Sequence, residues 1–519
     1  MRAAFTSPLY SALLATALLT ACGTTVVNPV TGEAERTVMD EQAEVAEGQK
    51  AHQAVIKEQG VYDNPKLQAY VNDVGQKLAA QSHRAHLSWT FTVLDSPEIN
   101  AFALPGGYVY VTRGIMAYLD SEAELAGVMG HEIGHVTARH GAQRATRQRN
   151  AGFGVIAATV LGAVLEGAGV RGATDLVGQA SQTVAAGYVA SYSREQESQA
   201  DELGAEYLAR NHYDPQNMVD VIALLKNQER FAADTARAEG RPAPSGSNWL
   251  SSHPSNEQRL ADIRNIALQY QGQRGVQYSD DGRARYLQAI EGMGFGDSRE
   301  QGVVRGANFY HEPLGIALTA PAGWRVQNTA SAIGVVNQAG DAGLVIKLVP
   351  QELGTSHEAI LRKLLGNDQS RLDARATQLT LHGLSATRYD ITARGNPGGN
   401  SIRVTLVTGP QNRVYQLRQS GRDAKALQGA QAGLQEAEAS FRPLSAADRK
   451  AAQPWTVRTQ PLPKGGFAEL ARQSALLQGE APSQERAEAQ LKLLNGAYGE
   501  EASARAAALK PGQVVKTIR

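Results

Sequence analysis

Residues 131–140 read His131-Glu132-Ile133-Gly134-His135-Val136-Thr137-Ala138-Arg139-His140. A His-Glu-x-x-His run leaves the backbone little choice. Positions i and i+4 share a face on an α-helix, so the two imidazoles can close on one zinc ion if this stretch is helical, with Glu132 beside them to take a proton from water. The flanking sequence supports a helix. Ser121 with Glu124 three residues on fits a capping box, and Leu119, Leu125, Val128 and Met129 form an apolar stripe at helical spacing. The competing reading is a helix whose histidines merely pack or face solvent; it gives no reason for the glutamate between them.

A catalytic zinc takes three protein ligands and keeps one position open. The third is sought in Tyr192-Ser193-Arg194-Glu195-Gln196-Glu197-Ser198-Gln199-Ala200-Asp201-Glu202. Glu197 and Asp201 share a helix face by their spacing, with Glu195 and Glu202 off it. Glu197 is then the candidate ligand and Asp201 the acceptor for the second N–H of a ligand histidine. Spacing alone serves a solvated acidic helix equally well.

Taken together, His131-Glu132-x-x-His135, Ser193-Arg194-x-x-Glu197-x-x-x-Asp201 and the upstream run Asn100 to Gly114 resemble the M48 family of zinc metallopeptidases, over roughly residues 40 to 270. The resemblance implies His131, His135 and Glu197 as ligands of one Zn²⁺, Glu132 as general base and Asp201 behind a ligand histidine. It also points to Ser251-Ser252-His253-Pro254-Ser255, followed by Arg259, as the segment that closes the domain, with His253 near the metal. There His253 is either a plug filling the fourth position or an ordinary loop histidine at a helix start. Gln199 stands where relatives tend to carry an acidic or small residue.

Tyr108 to Thr112 reads as a strand after the break at Pro105-Gly106-Gly107. Beside the zinc helix it is expected to hold an extended substrate by strand addition. An oxyanion stabiliser is expected too; His140, Arg194 and Tyr192 are the candidates. The basic cluster Arg139, Arg144, Arg147 and Arg149 reads as the solvated end of the zinc helix, where cations suit the dipole.

The N-terminus sets an address. Met1-Arg2, the apolar run Leu13 to Leu19 and Leu19-Thr20-Ala21-Cys22 match a lipoprotein signal cleaved before Cys22, too short in its apolar run for a membrane span. Cys22 is the single cysteine, so no intrachain disulfide forms, and lipidation explains a lone thiol in an exported protein. Gly23, not Asp, follows it, which favours the periplasmic face of the outer membrane. With Lys+Arg 51 against Asp+Glu 51, nucleic acid is not expected as a partner.

The expected class is α+β multidomain. It comprises a signal peptide (1–21), a linker (22–37), a mainly helical zincin-type domain with a small sheet (38–270), a polar, Gly-rich linker (271–302), an α+β domain (303–445) and a tail (450–519). Within the first domain, the Gly/Ala-rich stretch 151–190 reads as a helical hairpin acting as a lid. Strands are expected at 344–349, 403–407 and 414–417, helices at 356–366 and 423–440, and a tight turn at Pro321 to Trp324. The tail resembles a LysM glycan-binding unit through Leu494-Asn495 and Lys510-Pro511-Gly512-Gln513, with Lys464-Gly465-Gly466-Phe467 where Gly-Asp-Thr is usual; peptidoglycan contact is the partner it implies. The expected function is a zinc endopeptidase, anchored in the membrane by lipid, acting on unfolded or unassembled envelope proteins. The alternative is a non-proteolytic chaperone with zinc capped by His253.

Overall fold

The computed structural model describes residues 24–37, 39–150, 192–238, 240, 253, 257–271, 277–329, 332–366, 372–393, 401–477, 483–499 and 509–519. The leader 1–21, Cys22 and the hairpin expected over 151–190 lie outside the described residues. No helix among the described residues is long and apolar enough to cross a membrane.

The span 22–37 reads from sequence as a linker; its described part is instead a β-hairpin. Strands β1 (Thr24–Val27) and β2 (Ala34–Thr37) pair antiparallel. Asn28 shapes the turn: its Oδ1 accepts from the N–H groups of Val30 (2.9 Å) and Thr31 (3.3 Å), a side-chain-capped turn of the kind asparagine favours. Helices α1 (Glu41–Gln59) and α2 (Pro65–Ala80) follow, capped by Asp40 and Asn64. Strands β3 (Thr90–Leu94), β4 (Ala101–Leu104) and β5 (Tyr108–Thr112) form a three-stranded sheet in the order β3–β5–β4. β5 runs parallel to β3 and antiparallel to β4. The strand expected over 108–112 is therefore present but paired on both sides, and cannot receive an extended peptide. Among the described residues, the unpaired edge on the α4 side is that of β4.

Helix α3 (Arg113–Tyr118) leads into α4 (Glu122–Thr137), which carries the His-Glu-x-x-His run. Ser121 Oγ accepts from the Glu124 N–H at 3.1 Å. The Glu124 carboxylate reaches the Asp120 N–H at 2.6 Å, one residue short of where a capping box places it. Every residue of α4 is buried. Burial, with the Asp120 carboxylate close by, pushes the Glu124 carboxyl up from 4.5 to about 8. The folded chain thus keeps a proton that the unfolded chain has lost, so this residue costs stability as pH rises from about 4.5 through about 8. Glu124→Gln is expected to flatten the fall in melting temperature between pH 5 and pH 8; melting curves at the two pH values check it.

After α4 the chain breaks at Ala138-Arg139, where Arg139 takes a positive φ of 58°, and α5 (His140–Asn150) starts in a new direction. Arg139 is not part of a solvated helix end: its Nε donates to Glu44 (2.9 Å) and its Nη2 to Met39 O (2.8 Å). Helices α6 (Arg194–Arg210), α7 (Gln216–Ala238) and α8 (Glu257–Gln271) complete the layer over α4.

The stretch 271–302 is no free linker in its described part. Helix α9 (Arg283–Ile290) and β6 (Gly294–Phe295) lie on the helical domain, with Tyr286, Leu287, Ile290 and Met293 in the same core as α2 and α4. Its few large side chains are the ones that dock, and composition averaged over the segment hides them.

The next part is α+β, as expected. Strands β7 (Val303–Arg305), β8 (Asn308–His311) and β9 (Ile316–Thr319) belong to one sheet, and β10 (Arg325–Asn328), β11 (Ile333–Val336) and β12 (Ala342–Leu348) begin another. Helix α10 (His357–Leu365) precedes β13 (Leu372–Leu381), β14 (Leu384–Ala393), β15 (Ile402–Thr408) and β16 (Val414–Gly421), which complete a seven-stranded antiparallel sheet in the order β10–β11–β12–β16–β15–β14–β13. The turn at Pro321 closes through Trp324 N–H to Pro321 O (2.9 Å). The helix expected over 423–440 is two, α11 (Ala424–Gly429) and α12 (Gln431–Ala439). The short strand β17 (Arg442–Pro443) then returns to pair with β9.

The tail folds as β18 (Trp455–Pro461), α13 (Gly466–Gln473), α14 (Gln484–Leu494) and β19 (Val514–Ile518), with β18 and β19 antiparallel. It is not a separate bead: Val457, Leu470, Leu491, Leu494, Val515 and Ile518 belong to the core that holds α2 and α4. Lys516 is fully buried, and its ammonium donates to the carbonyls of Ala117 (3.0 Å), Tyr118 (3.0 Å) and Leu119 (2.6 Å) at the C-terminal end of α3.

Candidate metal centre

The centre exists because α4 and α6 approach closely. Three glycines line the crossing. A Cβ on Gly134 would lie 2.8 Å from Ala200 O, and one on Gly204 would lie 3.0 Å from the His131 amide nitrogen. The first is closer than real Cβ atoms come, the second is tighter than nine in ten of their contacts, and Gly130 faces Gly204 across the same gap. Any larger side chain would drive the helices apart and separate the histidines from the acidic pair.

The start of α6 is fixed by a reciprocal cap: Ser193 Oγ accepts from the Gln196 N–H and the Gln196 side chain accepts from the Ser193 N–H. Glu197 falls in the first turn, where the helix dipole favours an anion. His131, His135, Glu197 and His253 each offer one ligand atom, all within 4.8 Å of one another. All four are at most 2% exposed, and Glu132 is fully buried beside them. His131 Nε2 and His135 Nε2 are 3.0 Å apart. Glu197 lies 3.7 Å from His131 Nε2 and 3.4 Å from His135 Nε2. His253 Nδ1 is 3.2 Å from His131 Nε2 and 3.0 Å from Glu197 Oε1, and its Nε2 is 3.5 Å from Glu132 Oε1.

Asp201 Oδ1 accepts from His131 Nδ1 at 2.8 Å. An ionised carboxylate only accepts, so the His131 proton sits on Nδ1 and its Nε2 lone pair points into the cluster. A lone pair aimed at another ring nitrogen 3.0 Å away needs a proton or a cation between them. Two nitrogens about 2 Å from a shared tetrahedral zinc lie about 3.3 Å apart. The donor set, imidazoles plus a carboxylate at that separation, fits zinc.

Arg259 ties the acidic pair together. Its Nε and Nη2 grip Asp201 at 2.8 and 2.9 Å, its Nη1 lies 2.7 Å from Glu197 Oε2, and the same Nη1 donates to His253 O at 3.1 Å. Burial alone would raise the Glu197 carboxyl, but the charges of His253 and Arg259 outweigh it and hold it well below the usual range. The same balance lowers Asp201, chiefly through Arg259. Burial holds His135 well below its ordinary value, so the ring is neutral, as a ligand must be. For His253 burial is outweighed by the Glu197 and Glu132 carboxylates, which raise it.

Of the three oxyanion candidates, His140 stands behind His135, not in front of it: its Nδ1 meets His135 Nδ1 at 2.8 Å. Arg194 is exposed. Tyr192 stacks on His135, ring centroids 3.9 Å apart. His253, open to two readings from sequence, lies inside the cluster. Sequence reasoning misses the places of His140 and Arg259 in the centre. His140 is five residues after His135, off its helix face, and only the positive φ of Arg139 swings it back. The signal for Arg259 is its place after the His-Pro pair.

A family model described as Peptidase family M48 matches residues 65–267. The beta-barrel assembly-enhancing proteases of Yersinia pestis and Escherichia coli (strain K12) are each 32% identical, over 213 and 211 residues, 40% of this chain and 40% of theirs. The mitochondrial metalloendopeptidase OMA1 of Arabidopsis thaliana is 31% identical over 204 residues, 39% of this chain and 36% of its own. The chain spans about two fifths of the length of these relatives. The matched segment begins at the first residue of α2 and ends inside α8, so both halves of the centre fall within it, and residues 65–267 of this chain are an M48 peptidase domain.

Proposed function

We propose that this chain is a zinc-dependent endopeptidase of the bacterial envelope, hydrolysing peptide bonds in misfolded or unassembled proteins. The observation that carries the reading is the buried convergence of His131, His135 and Glu197 with Glu132 beside them. Bound zinc would supply Lewis-acid polarisation of the scissile carbonyl and acidify water. Glu132 takes a proton from the attacking water and passes it to the leaving amine. Asp201 orients His131, and Arg259 holds both carboxylates in place. The edge of β4 is the proposed seat of an extended substrate. The envelope as the site of action is supported by the names of the bacterial relatives and by the lipoprotein signal ending at Cys22. With it go a lipid anchor on the periplasmic face of the outer membrane and, from the strand–helix–helix–strand order of 455–518, peptidoglycan contact by the tail, which a pull-down on isolated sacculi tests.

His253 is proposed as a fourth ligand that fills the position substrate and water need, so the resting centre is latent. His253→Ala is expected to raise cleavage of an unfolded protein several-fold at unchanged zinc content; equal or lower activity would return His253 to a purely structural role. The non-proteolytic chaperone is not favoured, since it leaves Glu132 without a task. Purified chain should digest a reduced, unfolded protein, lose that activity to a chelator and regain it with zinc. Failure to cleave any unfolded substrate in the zinc-loaded state would overturn the proposal.

A further inference from the structure

The N-terminal hairpin reaches the metal centre through a line of hydrogen bonds whose direction is fixed at its far end. Asn28 is buried. Its Oδ1 accepts from two backbone N–H groups, those of Val30 and Thr31. Backbone nitrogens only donate, so that atom is the oxygen and the other is the amide nitrogen. Asn28 Nδ2 spends its two protons on Glu35 Oε1 (2.9 Å) and on the Gln199 side chain (3.0 Å). The Gln199 atom facing it must therefore accept, and is Oε1. The same oxygen lies 3.1 Å from His140 Nε2, so His140 carries its proton on Nε2. In a neutral ring His140 Nδ1 is then an acceptor, and it stands 2.8 Å from His135 Nδ1. His135 must donate there. Its proton sits on Nδ1 and its Nε2 lone pair is directed at the cluster, the state a zinc ligand requires.

The geometry points to Asn28, Gln199 and His140 as positioning residues that preset the tautomer of His135 for metal binding. The hairpin is held in register for this task by two further ties: Gln143 donates to Glu35 Oε2, and Gln196 donates to Gln143 Oε1 at 2.8 Å. The relay spans 171 residues between Asn28 and Gln199, so the segment directly after Cys22 is a working part of the centre. The inference rests on the metal-site reading above and adds residues to it.

Asn28→Asp is the direct test. The substitution keeps the turn, because a carboxylate oxygen accepts from Val30 and Thr31 just as well. The introduced carboxylate faces Glu35 Oε1, where Asn28 Nδ2 stood at 2.9 Å, and shares a proton with that carboxylate, so it has none to donate to Gln199. Gln199 then turns its amide to donate to that carboxylate, His140 Nε2 becomes the acceptor, and the proton on each ring moves to the opposite nitrogen. His135 ends with its proton on Nε2, in the place of the metal bond. Zinc affinity, measured by competition with a chromophoric chelator, is expected to fall 10- to 100-fold, the range typical of such outer partners. In metal-free protein, ¹⁵N-imidazole NMR is expected to move His135 from the Nδ1–H to the Nε2–H form. Gln199→Leu removes the acceptor and should weaken zinc, whereas Gln199→Glu, which accepts from both neighbours, should restore what Leu removes. That pair carries the test if Asn28→Asp fails to fold, as melting curves of the metal-free proteins will tell. Zinc affinity of Asn28→Asp within threefold of wild type with His135 still Nδ1–H, or a Gln199→Glu chain as weak as Gln199→Leu, would overturn the relay. A wild-type chain that binds no zinc would overturn instead the metal-site reading beneath it.

Discussion

Glu132→Gln is expected to bind zinc as wild type does and to lose peptide hydrolysis by roughly 10²- to 10⁴-fold, the usual yield of a positioned general base. The substitution is nearly isosteric, and Glu132 is fully buried, so the cavity keeps its shape while the carboxylate that takes the proton is gone. The amide has no lone pair basic enough to replace it. Zinc content by elemental analysis, run beside digestion of an unfolded protein, separates the two effects. Full activity in this variant would remove Glu132 from the reaction; lost zinc would mean that it holds the centre together instead of acting on water.

Arg259→Leu is expected to have the largest effect on stability. One guanidinium faces Asp201 through two bonds and Glu197 through a third contact, and all three groups are buried. Removing one partner of a buried ionic group leaves uncompensated charge and costs about 3–5 kcal/mol. For a domain of this size, that is a fall in melting temperature of roughly 10 °C. The loss should be greatest in chelator and smaller with zinc, because zinc bound at Glu197 would return part of the missing positive charge. Arg259→Lys should fall between, since an ammonium cannot serve both carboxylates with the geometry of a planar fork. Unchanged melting of Arg259→Leu in chelator would show that the network contributes nothing net.

How much of this is legible in the sequence follows from the range of each signal. The zinc helix is readable because His131, Glu132 and His135 sit within one turn and Ser121 marks the start nearby. The acidic partner is readable because Glu197 and Asp201 repeat the same spacing. Strands such as Ala342–Leu348 and Ile402–Thr408 announce themselves by local β-branched content. What stays hidden is non-local and polar. Nothing near Asn28 indicates that its amide ends against Gln199. His140 is misplaced when the zinc helix is extended through Arg139, whose left-handed backbone has no clear mark in sequence. The strand at 108–112 is found correctly, but whether a strand lies at an edge depends on its neighbours, here Phe102 and Phe91 on either side. Tyr286 and its companions are averaged away within a polar stretch.

Lys516 sets an order of events. The carbonyls it satisfies, at Ala117 to Leu119, lie just ahead of the metal helix, 397 to 399 residues earlier in the chain. During synthesis the His-Glu-x-x-His helix exists long before that ammonium arrives, and until then three buried acceptors at its root lack their donor. A nascent or interrupted copy therefore carries its metal helix on an unfinished foundation. The seat of that helix is complete only once the distal strand has docked.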